Sequence, residues 1–117
     1  MGIFSSKKSD FNWLIIKNLV NYKDAIDLSF NEPVLIFKHS TRCSISSLAL
    51  NRIESKHNQS IITNCYFLDL LSFRDISNKI AEDFNVTHES PQILIIENEK
   101  CIYQASHYNI SWDNIKV

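Results

Sequence analysis

The stretch Phe37-Lys-His-Ser-Thr-Arg-Cys-Ser-Ile-Ser46 concentrates the residues able to do chemistry. Cys43 stands where a continuous apolar run gives way to a helical pattern. Its thiol therefore falls at or next to a helix's first residue, where unpaired amides and the helix dipole favour negative charge. Arg42 lies beside it, with Lys38 and His39 just upstream. Such surroundings favour the thiolate, which attacks disulfides, over the inert buried thiol that a free cysteine more often is. Ser46 follows three residues on, on the same helix face, so its hydroxyl is expected to donate to the Cys43 thiolate. The plainer alternative is an exposed polar residue of a first turn. Dithiol oxidoreductases carry a second cysteine at that spacing, so Cys-x-x-Ser can form a mixed disulfide but cannot resolve it within its own motif.

Pro91, in Glu89-Ser-Pro-Gln92, stands just before an apolar run. A trans turn proline is the ordinary case; a cis one would set the Ser90 backbone beside Cys43 as a docking edge for an extended thiol substrate. Cys65 and Cys101 are expected to pack in the core or at its edge, with a resolving role as the alternative. The cysteines and the histidines His39, His57, His88 and His107 lack paired metal-ligand spacing, so no metal is expected. His39 and Cys43 could pair for acyl transfer, but a loop links them and no oxyanion-supporting motif accompanies them. His88 and His107 read as surface or loop residues without a role.

The elements that must position these residues follow from periodicity. Residues 1–10 are polar and read as a flexible lead; 11–117 read as a single domain. Trp13–Ile16 is a short strand, and Asn21–Phe30 a helix with Tyr22, Ala25, Ile26 and Phe30 on one face. Pro33 precedes Val34–Phe37, a strand of the kind buried on both faces of a sheet. A second helix carries Ile45, Leu48, Ala49 and Ile53 inward, with Lys56 and His57 in its last turn and Asn58 as a left-handed cap. Cys65–Leu70 is the third strand. Ser72-Phe-Arg-Asp75 opens a third helix in the manner of a capping box, with Phe73, Ile76, Ile80 and Phe84 inward and an end near Asn85. Gln92–Ile96 and Cys101–Ala105 then form a hairpin across Glu97–Lys100, and the tail from Ser111 has room for one or two helical turns. The order β-α-β-α-β-α-β-β is thioredoxin-like: an α/β fold whose helix-linked strands are expected to run parallel, with an antiparallel hairpin at the edge and a short or missing final helix.

Composition excludes much else. Of 117 residues only Gly2 is glycine, so there is no glycine-rich phosphate cradle. Asparagine, which tolerates positive φ, stands instead at turn positions 58, 85 and 98. A net charge of −1 gives no broad pull toward nucleic acid or anionic membrane, and no apolar run is long enough to span a bilayer. With no export-type leader and three cysteines, a disulfide framework is not expected and a cytoplasmic location is. Met1-Gly2-x-x-x-Ser6 matches a myristoylation signal in form, a coincidence that short motifs readily produce.

Pro33-Val-Leu-Ile-Phe-Lys-His-Ser-Thr-Arg-Cys-Ser-Ile-Ser46, with Ala49 and Ser90-Pro91-Gln92 downstream, resembles the bacillithiol-system redox family, the YtxJ-like monothiol bacilliredoxins. The resemblance covers roughly Trp13 to Ile110 and departs from the common pattern at Ser44, where the family usually has proline. It implies a bacterial cytosolic protein that removes bacillithiol from protein mixed disulfides. Cys43 and Ser46 would be catalytic; Lys38, His39, Thr41, Arg42, Ser90 and Pro91 would bind substrate. No tightly bound cofactor is implied, bacillithiol being a co-substrate. The partners implied are bacillithiolated client proteins and the reductase of bacillithiol disulfide. The alternatives are a glutaredoxin-like or arsenate-reductase-like enzyme using another thiol, and a thioredoxin-fold binding module without turnover.

Overall fold

The structure, a computed structural model, describes residues 11–55 and 62–115. Among these residues are five strands and three helices, in the order β1 (Leu14–Ile15), α1 (Leu19–Leu28), β2 (Val34–His39), α2 (Ser44–Ser55), β3 (Asn64–Asp69), α3 (Arg74–Phe84), β4 (Gln92–Glu97) and β5 (Lys100–Ser106). Two single 3-10 turns, His107–Asn109 and Trp112–Asn114, follow. The sheet order is β1-β3-β2-β4-β5, which puts the strand leading to Cys43 at its centre.

All six residues of β2 are buried because both faces of the sheet are covered. Alternation along the strand divides them. Val34 and Ile36 join Tyr66, Leu68, Leu94 and Ile96 under α1 and α3, where Tyr22, Ala25, Ile76 and Ile80 meet them. Leu35 and Phe37 join Cys65, Ile93 and Ile95 under α2, where Ala49 and Ile53 meet them. A strand with covered faces reads as an uninterrupted apolar run.

One topological expectation is corrected. β1, β3 and β2 are mutually parallel, but β4 runs antiparallel to β2 although α3 joins it to β3. After α3 the chain continues through residues 85–91 before β4 begins. Those seven residues carry it back to the end of the sheet from which α3 departed, so β4 descends instead of climbing.

Local details also differ from the sequence pattern. Asn18 caps α1, accepting from Asn21 N at 2.8 Å, and Phe30, expected on the inner face, is 54% exposed beyond the helix end. Ser72 does not cap α3: its hydroxyl donates to Asp69 Oδ2 at 3.0 Å, and Phe73 occupies the cap. Asn85 is left-handed, as expected. The hairpin turns on Asn98 and Glu99, both at positive φ, and Ser29 steadies it by accepting their backbone N–H groups at 2.8 and 3.1 Å. The end of the second helix at Lys56, His57 and Asn58 lies outside the described residues. The tail covers α2: Ile110 and Trp112 are buried on its face of the sheet, and Trp112 Nε1 donates to Ile53 O at 2.8 Å.

Candidate active site

β2 ends at His39, and Ser40–Arg42 turn the chain into α2. Cys43 closes that turn, its N–H donating to Ser40 O at 3.2 Å, while its carbonyl accepts from Ser46 N at 3.1 Å and Ser47 N at 3.2 Å. Cys43 is thus the residue at which α2 begins, with the free amides of the first turn beside it. Its side chain is half-buried, whereas Thr41, Arg42 and Ser44 are exposed.

Ser46 is fully buried, which overturns its reading as an exposed helix residue. Its Oγ accepts from Ser40 N at 3.0 Å and lies 2.7 Å from His39 Nδ1. Neither contact involves the thiol, and among the described residues no hydrogen bond joins the Ser46 hydroxyl to the Cys43 thiol. The hydroxyl expected on the thiolate is instead a tie between α2's first turn, the Ser40 corner and β2. Burial lowers the His39 pKa from its ordinary value, against the pull of Asp69 and Glu54, so the imidazole stays neutral near pH 7. Phe67 lies against its ring at 5.3 Å. His39 therefore faces inward, toward Ser46, and not outward toward a ligand.

Lys38 is a further correction. It shares the parity of Val34 and Ile36, so its side chain enters the layer under α1 and α3, opposite α2. It is fully buried, and its Nζ donates to Ser77 O at 3.0 Å. A cation placed there does not meet a ligand at Cys43. The sequence assigned no role to His88, which lies 3.5 Å from that ammonium; the signal that could have found the pair is the alternation of β2 itself.

The Ser90–Pro91 peptide bond is cis. The β2–β4 ladder ends with Lys38 opposite Gln92, leaving His39 and Pro91 as the next residues on the two strands. Pro91 is buried, its carbonyl accepting from His107 N at 3.1 Å. Cys43, Thr41, Arg42, His39, Ser46, Ser90 and Pro91 thus share the end of the sheet where β2 and β3 finish and β4 begins.

All three cysteines are free thiols. Cys65 is buried under α2, and burial pushes its thiol up to about 12. Cys101, half-buried on β5, donates to Tyr103 O at 3.3 Å, and burial raises its pKa. A cavity of about 600 Å³ opens between α1 and α3, lined by Leu19, Tyr22, Phe30 and Phe84 among others. It contains none of the residues around Cys43.

The model of the monothiol bacilliredoxin family, BrxC, matches residues 15–115. The chain belongs to that family. Solved structures agree on the fold. A thioredoxin-fold protein proposed to be an oxidoreductase superposes with a TM-score of 0.77 at 27% identity, covering 86% of this chain and 88% of that one. Mitochondrial thioredoxin 3 from Saccharomyces cerevisiae gives 0.65 at 13% identity, over 81% and 83% of the two chains. Fasciola hepatica thioredoxin gives 0.66 at 12%, over 80% and 85%. Family and fold place this bacilliredoxin-family chain among thioredoxin-like thiol redox proteins. No helix of the described residues is long and apolar enough to cross a membrane.

Proposed function

We propose that the protein is a monothiol thiol-disulfide oxidoreductase that removes bacillithiol from protein mixed disulfides through Cys43. The observation that carries this reading is the placement of Cys43 at the start of α2, half-buried between exposed Arg42 and Ser44, while Cys65 is sealed in the core. The free backbone amides of the first turn of α2 stand beside the thiol that must attack and later leave.

The Cys43 thiolate attacks the bacillithiol sulfur of the client mixed disulfide. The client's S–S bond breaks, its thiolate departs and takes a proton from solvent, and Cys43 is left disulfide-bonded to bacillithiol. Ser46 offers no second thiol, so a second bacillithiol thiolate must attack that adduct. It releases Cys43 and forms bacillithiol disulfide, which the bacillithiol disulfide reductase returns to the thiol pool. Exchange rate follows the thiolate fraction of the attacker and the quality of the leaving thiol. The Ser90–Pro91 backbone, at the same end of the sheet, offers an edge on which an extended substrate can dock. Arg42 and Thr41, exposed in the turn that leads to Cys43, are the groups we assign to the carboxylates of bacillithiol. Cytoplasmic location and a bacterial host accompany this reading.

The test is exposure of the purified protein to bacillithiol disulfide and, in parallel, to glutathione disulfide, with adducts located by mass spectrometry. One adduct is expected, on Cys43, forming faster with bacillithiol and absent from Cys43→Ala. An equal rate with glutathione would favour a glutaredoxin-like enzyme. Modification only at Cys101, or none, would leave a binding module without turnover.

A further inference from the structure

The proposal above leaves the buried ammonium of Lys38 unused. Among the described residues no carboxylate forms an ion pair with it, and a buried charge without a counter-ion is costly. Its contacts show what it holds. Nζ donates to Ser77 O, at the first turn of α3, and lies 3.5 Å from His88 Nδ1; Ser77 Oγ lies 3.4 Å from the same nitrogen. Burial, then Lys38 and Arg74, lower the His88 pKa against the pull of Glu89, and facing an ammonium, which can only donate, Nδ1 is the accepting nitrogen. Gln92, paired across the ladder with Lys38, donates Nε2 to Thr87 O at 2.9 Å. The segment entering β4 is therefore tied to the sheet at two successive residues, Thr87 and His88. Two residues further on come Ser90 and Pro91. Ser90 Oγ is buried with no partner among the described residues, so the backbone there depends on its neighbours for its position.

We propose that Lys38 is a positioning residue for substrate docking: acting through His88 from the far face of the sheet, it fixes the Ser90–Pro91 edge beside Cys43. The proposal rests on Cys43 being the attacking thiol. Lys38 touches neither the thiol nor the substrate, so its loss weakens docking and leaves the intrinsic reactivity of Cys43 intact.

Lys38→Met and His88→Ala test this with three readouts: kcat and KM on a bacillithiolated protein, the rate at which iodoacetamide alkylates Cys43, and amide hydrogen exchange along residues 87–93. Each variant is expected to raise KM about five- to tenfold with kcat within about twofold. Alkylation should stay within about twofold, and exchange should rise at Thr87–Ser90 but not at Cys43–Ser47. Unchanged KM, or a fall in kcat and alkylation together, overturns the proposal. Should Lys38→Met fail to fold, His88→Ala, at a half-buried loop position, decides by the same criteria. If the wild type consumes no mixed disulfide, the functional reading of Cys43 is what fails. The exchange pattern then decides the tie alone, and unaltered protection at Thr87–Ser90 refutes it.

Discussion

Ser46 was visible in the sequence as a partner of Cys43 by spacing, but spacing on a helix says only which residues share a face. It does not say which neighbouring strand comes closer. The buried hydroxyl at 2.7 Å from His39 Nδ1 and 3.0 Å from Ser40 N is a structural tie, so its deletion leaves two buried polar groups unpaired. Ser46→Ala is expected to lower stability by about 1–3 kcal/mol, read as a shift of the urea midpoint. A loss below about 0.5 kcal/mol would contradict the tie. Lys38 and His39 show the same limit from another side. Adjacent cations in a list look like one patch, yet a strand sends successive side chains to opposite faces, and only the helices packed on each face reveal that neither is presented to a ligand.

At the scale of elements, the positions of all three helices and of β2 to β5 could be read from periodicity, because each carries an apolar stripe matched to its covered face. The direction of β4 could not. It depends on how far residues 85–91 travel, and a connection that is neither helix nor strand carries no periodic signal. The hairpin shows a smaller gap of the same kind. Asn98 is recognisable as a turn residue, whereas Glu99, at φ 64, has no propensity that announces it. A non-glycine residue in that region bears a cost of roughly 1–2 kcal/mol, and the backbone N–H of Glu99, not its side chain, makes the bond to Ser29 Oγ. Glu99→Gly should therefore stabilise the protein by about 1 kcal/mol in thermal or urea unfolding. A destabilised variant would show that the side chain contributes to the cavity between α1 and α3, which Glu99 also lines.

Taken as a whole, the molecule buries a lysine amine in one layer and a cysteine thiol in the other, and together they shape its stability against pH. Lys38 holds its proton only to about 8 when folded but to 10.5 unfolded. Between those values the unfolded state binds more protons, so stability rises with pH. Cys65 works oppositely: its thiol ionises near 9.0 unfolded and near 12 folded, so from 9 upward the native state retains a proton the unfolded state loses, and stability falls. Cys101 and Tyr22, both raised by burial, add to that fall. His39 and His88, both lowered, withdraw stability as pH drops below 6.5. Urea titrations from pH 7 to 11 should show a rise beginning near 8 that flattens above 9. Lys38→Met should abolish the rise, and Cys65→Ala should prolong it. Parallel wild-type and Lys38→Met curves between pH 8 and 9 would exclude the assignment.

The asparagine turns carry one more implication, for the protein's chemical lifetime. Asparagine ages by deamidation when the backbone nitrogen of the next residue attacks its side-chain amide, a reaction that a following glycine makes easiest. Here Asn85 precedes Val86 and Asn98 precedes Glu99. The attacking nitrogen is already engaged in both, at 3.1 Å from Ala81 O and 3.1 Å from Ser29 Oγ. A chain that turns on asparagine without glycine behind it thus keeps those turns chemically intact as it ages.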